Sequence, residues 1–231
     1  MFKKLLIASA ALAAAAGVHA QSSQSATINL QATISPGTCA VTLPGSTVAD
    51  FGTIAGAAAR SATLKPALLP ANHHLDMSTK TFKWDVSCTA ATPLQLVFTD
   101  SKTGNVPAYD GNEASRFGLV DSASTATTKP AIGSYTLSFV TSTTVVDGVK
   151  PMGYMQAVAG STTWSTSTGA NLTPGSAYGF QAASTTQTVP SVLTKASGDI
   201  QVNVLLLKSY VNAALKDIVI QGGGTITLQY L

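Results

Sequence analysis

The stretch FKWDVSC, residues 82–88, alternates strictly between apolar and polar side chains. Successive side chains of an extended strand point to opposite faces of a sheet, so the alternation predicts a half-buried β-strand. On that strand Trp84 belongs to the core and Cys88 lies on the apolar face. The other tryptophan, Trp164, stands in a polar Ser/Thr connection, and we expect it to cover a loop.

The same two-residue period recurs from one end of the chain to the other. Further alternating or apolar segments are residues 26–34, 39–43, 94–98, 135–139, 200–206 and 225–231. Pro-Gly pairs and long Ser/Thr/Gly-rich connections, notably 121–128 and 160–175, separate them, and only residues 210–216 offer a short helix. Many short strands without a βαβ rhythm predict an all-β, antiparallel β-sandwich in a single domain.

The N-terminus carries the three parts of a secretory signal. Lys3 and Lys4 precede an apolar core, Leu5–Ala16, and Val18-His19-Ala20 offers small residues at a cleavage site. This pattern predicts a signal peptide over residues 1–20 and a mature domain over 21–231. The competing interpretation, a membrane anchor, requires about 18 uninterrupted apolar residues, and no later stretch reaches that length either. We therefore expect no integral membrane segment after cleavage.

Charge is sparse in this sequence. Asp, Glu, Lys and Arg make up 10% of the chain, whereas about a quarter is usual for globular proteins. Two of the 13 basic residues lie in the predicted signal peptide, so the mature chain is close to neutral against 10 acids. Such a composition provides no basic surface for nucleic acid. It suits a protein that packs against neighbours.

The two cysteines, Cys39 and Cys88, are expected to form a disulfide because an exported chain folds in an oxidising compartment. Closing that loop restricts the unfolded chain by roughly 4 kcal/mol in the chain-entropy model. The alternative, a pair of free or metal-binding thiols, lacks a third and a fourth ligand.

No residue pattern points to a catalytic centre, a metal or a cofactor. His73 and His74 precede Asp76, but adjacent residues of an extended chain point to opposite faces, so we expect an exposed loop. There is no G-x-S-x-G nucleophile motif. The run Gly222–Gly224 lacks the Lys-Ser/Thr of a phosphate loop and predicts a turn before the last strand. A pair of glycosidase carboxylates stays possible among the 10 acids, although the sequence singles out none.

Four segments together resemble the pilin-like subunits of chaperone–usher fimbriae, most closely the beta-fimbrial, fimbria-like proteins. An alternating segment leads into Pro36-Gly37-Thr38-Cys39, and residues 48–54, VADFGTI, resemble the segment that follows the first cysteine in that family. Residues 82–88 resemble the strand that brings the second cysteine. Residues 225–231 resemble the final strand with its penultimate tyrosine.

The resemblance implies an immunoglobulin-like sandwich that lacks its last strand and is completed by a strand from another protein. A periplasmic chaperone, an outer-membrane usher and neighbouring fimbrial subunits are the implied partners. On the final strand, the side chains implied to contact the chaperone are Ile226, Leu228 and Tyr230. The donor strand would lie in residues 21–30, with Ala26, Ile28 and Leu30 as its apolar side chains. Localisation would be the periplasm and then the cell surface of a Gram-negative bacterium.

Two features depart from that family, and two other functions stay open. Residues 21–38 must supply both the donor extension and the first strand, and the chain after Cys88 is longer than in an ordinary pilin. The expected function is a non-enzymatic structural subunit. One alternative is a tip adhesin that binds host glycans; another is an unassembled periplasmic protein with the same sandwich fold.

Overall fold

The structure is a computed structural model, and it contains two antiparallel sheets. It describes residues 37–47, 49, 74–76, 79–108, 112–167, 171–182, 186–214 and 216–231. The nine strands of the first sheet are β1 (Cys39–Thr42), β2 (His74–Asp76), β3 (Lys80–Thr92), β5 (Phe117–Asp121), β6 (Ala131–Phe139), β7 (Val145–Val146), β10 (Asn171–Leu172), β12 (Leu193–Leu207) and β13 (Ile220–Gln221). The five strands of the second are β4 (Leu94–Asp100), β8 (Gly153–Val158), β9 (Ser165–Ser167), β11 (Ser176–Gln181) and β14 (Gly224–Tyr230).

The strand order explains which edges are open. The first sheet runs β1-β3-β12-β6-β5-β13, with β2 and β7 beside β12 and β10 beside β6. The second runs β14-β4-β11-β8-β9, so the last strand of the chain lies at a sheet edge. The prediction of an all-β antiparallel sandwich is confirmed. A short helix also forms, as α1 (Lys208–Ala213), and it begins two residues earlier than expected.

An aromatic cluster joins the two sheets. Trp84 on β3 is 1% exposed, as predicted for the core, and its ring centroid lies 5.3 Å from that of Phe139 on β6. From the second sheet, Phe180 on β11 stacks on Trp84 at 5.7 Å with an angle of 2° between the ring planes. Such aromatic pairs contribute about 0.5–1.5 kcal/mol beyond the area they bury. Trp164 is half-buried in the connection before β9.

The expectation of a loop around His74 and Asp76 is wrong. His74 and Asp76 lie on β2, opposite Leu207 and Leu205 of β12. The reason is that β12 extends past β3, whose pairing ends where Lys80 meets Val202. The last residues of β12 would otherwise expose unpaired backbone groups on this side, and β2 pairs with them. His73 lies outside the described residues. The expected connection 160–175 likewise contains β9 and β10.

The segment after α1 is fixed to the sheet by one buried carboxylate. Asp121, at the end of β5, is 7% exposed and its Oδ2 accepts a hydrogen bond of 2.9 Å from the Tyr210 hydroxyl. Its Oδ1 accepts from the backbone N–H groups of Val219, at 3.2 Å, and Ala123, at 3.0 Å. The carboxylate therefore holds α1 and the chain before β13 against β5.

Alkaline unfolding tests this anchor. Burial, and then the Asp121 carboxylate, raise the pKa of Tyr210 to about 12 from 10.0. Between these values the unfolded chain has lost the proton that the folded chain retains, so this contribution to stability falls as pH rises. We expect Tyr210→Phe to lower the free energy of unfolding by about 1 kcal/mol near pH 8 and to flatten its decline above about pH 10. Urea unfolding at both pH values measures this, and an unchanged decline would contradict the anchor.

Candidate functional site

The outer edge of β14 has no strand beside it among the described residues. β14 pairs with β4 alone, from Gly224 opposite Asp100 to Tyr230 opposite Leu94. The Ser101 N–H donates to Gly223 O at 3.0 Å, and the Leu231 N–H donates to Pro93 O at 3.2 Å. The hydrogen-bonding direction alternates along a strand, so the backbone N–H and C=O groups of odd-numbered residues of β14 point toward β4. The backbone groups of residues 224, 226, 228 and 230 point away from it, along the open edge.

Glycines bring the chain to this edge from the other sheet. β13 belongs to the first sheet and β14 to the second, and Gly222 and Gly223 connect them, as the glycine run predicted. A Cβ at position 222 would lie 2.6 Å from Leu119 Cδ2 and 2.9 Å from Tyr135 Cε1. No larger residue fits without moving these side chains, so the sheet crossing depends on glycine here.

An apolar cavity of about 620 Å³ opens between the sheets beside β14. Its walls include Leu43 after β1, Phe82 on β3, Phe117 on β5, and Ile226 on β14. The chain before β14 contributes Ile218, which is 2% exposed. Side chains from both sheets thus surround space that no described side chain fills. A void of this size forfeits packing contacts along its whole lining.

The Tyr135 hydroxyl is one of several polar groups in the cavity wall, which also includes Thr47, Thr99, Gln221 and Thr225. Burial, and then the negative charge of Asp100, raise the pKa of the Tyr135 hydroxyl well above its ordinary value, although a hydrogen bond from the Gly223 backbone N–H opposes them. The phenol is therefore neutral at physiological pH and does not act there as a base. The lining as a whole suits apolar side chains.

The three side chains predicted on the final strand occupy different positions. Ile226 lines the cavity, and both Ile226 and Leu228 are half-buried and pack against the core. Tyr230 is 52% exposed, and its hydroxyl accepts a hydrogen bond of 2.9 Å from the Cys39 backbone N–H. The end of β14 is in this way fastened to the start of β1, across the gap between the two sheets.

The predicted disulfide is confirmed. Cys39 and Cys88 stand directly opposite each other in the β1–β3 register, with Cα atoms 4.0 Å apart. Both cysteines are half-buried, because β1 is an edge strand. A structural disulfide indicates that the chain folds in an oxidising compartment.

Several predicted residues lie outside the described part of the chain. They are Ala26, Ile28 and Leu30, the whole signal segment 1–20, and all of 48–54 except Ala49. Within the described part, no group of three His, Cys, Asp or Glu residues could hold a metal ion, and no helix is long and apolar enough to cross a membrane. The opposite cavity wall, which includes Phe117 and Leu119, was not predicted; the apolar run at 117–120 was its only sequence signal.

No protein-family model and no curated protein matches this chain. The open β14 edge and the cavity beside it, called the groove below, are consequently interpreted from their own geometry.

Proposed function

We propose that this protein is a non-enzymatic structural subunit of a chaperone–usher type fimbria or a fimbria-like surface structure, assembled by donor-strand complementation. The single observation that carries the proposal is the groove: an edge strand that, within the described residues, has no strand on its outer side, next to an apolar cavity of about 620 Å³. A strand added at β14 would pair with the backbone groups on that side and would also place side chains in the cavity.

The backbone supplies the first half of the recognition. The groups of residues 224, 226, 228 and 230 face the open edge, and an incoming strand can pair with them whatever its sequence. An open edge of this kind also invites non-specific pairing with other chains. A periplasmic chaperone that supplies a strand would protect it until a neighbouring subunit replaces that strand.

The cavity supplies the second part of the recognition, because it favours a strand whose alternate side chains are apolar. Alternate residues of an added strand would point between the sheets, toward Phe82, Phe117 and Ile226. Each apolar side chain buried there contributes roughly 1.5–3 kcal/mol. The segment 21–34 carries the matching pattern, with Ala26, Ile28 and Leu30 on one face. A one-residue slip would turn that face outward, so the cavity also sets the register.

This function places the protein in the periplasm during assembly and at the cell surface afterwards. The predicted signal segment supports export, and the Cys39–Cys88 disulfide supports folding in an oxidising compartment. The proposed partners are the chaperone, the outer-membrane usher and neighbouring subunits.

Co-expression with periplasmic chaperones tests the proposal, and a variant at Tyr230 tests whether the end of β14 contributes to chaperone binding. We expect a 1:1 complex to purify with the wild-type chain. Tyr230→Ser removes a half-exposed ring from the end of the edge strand, and we expect about tenfold weaker capture, equal to ~1.4 kcal/mol of lost contact.

Tyr230→Phe is the matched control, because it keeps the ring and removes only the hydrogen bond from Cys39. It should bind the chaperone nearly as well as the wild type. If the wild-type chain forms no complex with any chaperone tested, the proposed function is contradicted.

A further inference from the structure

The connection between β5 and β6, residues 122–130, is called the hydroxyl loop because of its serines and threonines. Its base is held by the Ser124 N–H, which donates to Asp121 O at 3.3 Å. The Lys129 ammonium group donates to Ser124 O from the other side of the loop. These contacts leave residues 125–128, with the sequence Thr-Ala-Thr-Thr, as an exposed apex.

The hydroxyl groups of this loop fall into two sets. The Ser122 hydroxyl donates to Val219 O at 3.2 Å, and Ser124 Oγ accepts from the Ala126 N–H at 3.3 Å, so both serines hold the loop in place. The apex threonines have hydroxyls with no hydrogen-bond partner among the described residues, and they are Thr125, Thr127 and Thr128. The apex therefore presents three free hydroxyls to solvent.

Turn geometry does not explain these threonines. Other turns of this fold use glycine in the left-handed region, such as Gly148 and Gly160 with φ of 82° and 84°, whereas no residue of 125–128 has a positive φ. Threonine supports a turn when its hydroxyl bonds to the nearby backbone. The three apex hydroxyls make no such bond, so they are available to an external partner.

Other exposed turns that contain threonine differ from the hydroxyl loop. In the turn after β6, Thr143 Oγ1 donates to Val140 O at 3.2 Å and accepts from the Asp199 N–H at 3.1 Å. In the turn after β8, threonines 162–163 precede the bulky, half-buried Trp164. Only alanine separates the threonines of the apex. An enzyme can therefore approach the apex hydroxyls closely.

We propose that the hydroxyl loop is an O-glycosylation site, with Thr125, Thr127 and Thr128 as the acceptor residues. Exposed segments rich in serine and threonine with a nearby proline have the composition of O-glycosylated chains, and Pro130 follows this apex. A glycan would also hydrate the surface of a chain in which only 10% of the residues are charged. The inference goes beyond the proposed function, because it needs export of the chain but not the groove.

The modification requires one co-reactant, a lipid-linked glycosyl diphosphate outside the cytoplasm. A threonine Oγ1 attacks the anomeric carbon of the sugar and forms the glycosidic C–O bond. The bond between that carbon and the diphosphate oxygen breaks, and the lipid diphosphate leaves. A base of the transferase takes the hydroxyl proton, and no oxidant or reductant is needed.

Intact-mass spectrometry of the mature chain, purified from the cell that naturally produces it, tests this inference. The wild type should be heavier than its sequence by whole sugar residues, and fragmentation should assign them to residues 125–128. The triple variant Thr125→Val, Thr127→Val, Thr128→Val keeps the branched shape of each side chain and removes only the hydroxyls. It should fold with an unchanged thermal midpoint and lose the added mass.

Two controls accompany this variant. The triple variant Thr125→Ser, Thr127→Ser, Thr128→Ser retains the hydroxyls and should stay glycosylated. The double variant Thr162→Val, Thr163→Val changes two exposed threonines of another turn and should keep the added mass.

The outcomes separate clearly. Sugar on the apex that is lost in the valine triple variant and kept in both controls supports the site. A wild-type chain of unmodified mass, or sugar found only outside residues 125–128, overturns it. Fragmentation of the wild type locates the sugar by itself, so the inference can be overturned even if a variant fails to fold.

Discussion

Fusing residues 21–34 behind Leu231 through a short flexible linker is expected to raise the thermal midpoint of unfolding by about 10 °C. The added segment can pair with the open edge of β14 and bury Ala26, Ile28 and Leu30 in the cavity. A net gain of about 3 kcal/mol corresponds to that shift in a domain of this size. Differential scanning calorimetry of the fused and unfused chains measures it.

Linker length adds a test of strand direction. An antiparallel donor begins beside Tyr230, so a turn of about four residues suffices after Leu231. A parallel donor would begin beside Gly224 and would need a linker as long as β14 itself. We expect the short linker to give the full effect.

The control fusion carries Ile28→Asp and Leu30→Asp, which preserve the backbone but place charges in the cavity. It should give little or no stabilisation, because an unpaired buried carboxylate costs more than the added pairing contributes. Equal stabilisation by both fusions, or an unfused chain that is already very stable, would show that the sandwich is complete without a donor.

Removing the disulfide has the second large expected effect. Cys39→Ala with Cys88→Ala opens a loop with a sequence separation of 49, and we expect the free energy of unfolding to fall by roughly 4 kcal/mol. Within the described part of the chain β1 pairs with β3 alone, so its four residues lose the covalent cross-link to their neighbouring strand. Urea unfolding of the purified chain measures the loss, and periplasmic yield should fall with it.

The disulfide should also affect the groove. Leu43, just after β1, lines the cavity, and the Cys39 N–H holds the end of β14 through Tyr230. We therefore expect weaker binding of the 21–34 peptide to the double variant. A reducing agent should reproduce both effects in the wild type and leave the double variant unchanged. Equal stability with and without the disulfide would contradict its structural role.

The sequence predicted the strands that have one apolar face. β3, β12 and β14 alternate because one side packs on the core and the other is more exposed, and that period is visible without a structure. The edge position of β14 and the role of the glycine run could be inferred in the same way. The partner of Cys39 followed from there being only two cysteines.

Two of the missed strands, β5 and β11, are buried on both faces, which removes the alternation. All residues of β5 and β11 are buried. On β11, a Cβ at Gly179 would lie 2.4 Å from Pro190 Cγ, so the chain before β12 covers the outer face of the sheet there. On β5, Gly118 packs against the carbonyl of Lys102. These covering segments lie outside the strands themselves, and so the burial of the cavity wall that includes Phe117 could not be predicted from the pattern of the strand alone.

The position of β4 between its neighbours determines when this protein can finish folding. The first five residues of β4 are buried, and the strand pairs with β11 and β14. β11 begins only at Ser176, and β14 is the last strand of all. A chain that emerges N-terminus first therefore carries β4 without either partner until most of its length has been synthesised. Such non-local pairing gives folding times of milliseconds to seconds. During that interval the exposed apolar surface of an emerging chain can aggregate with neighbouring chains unless it is protected.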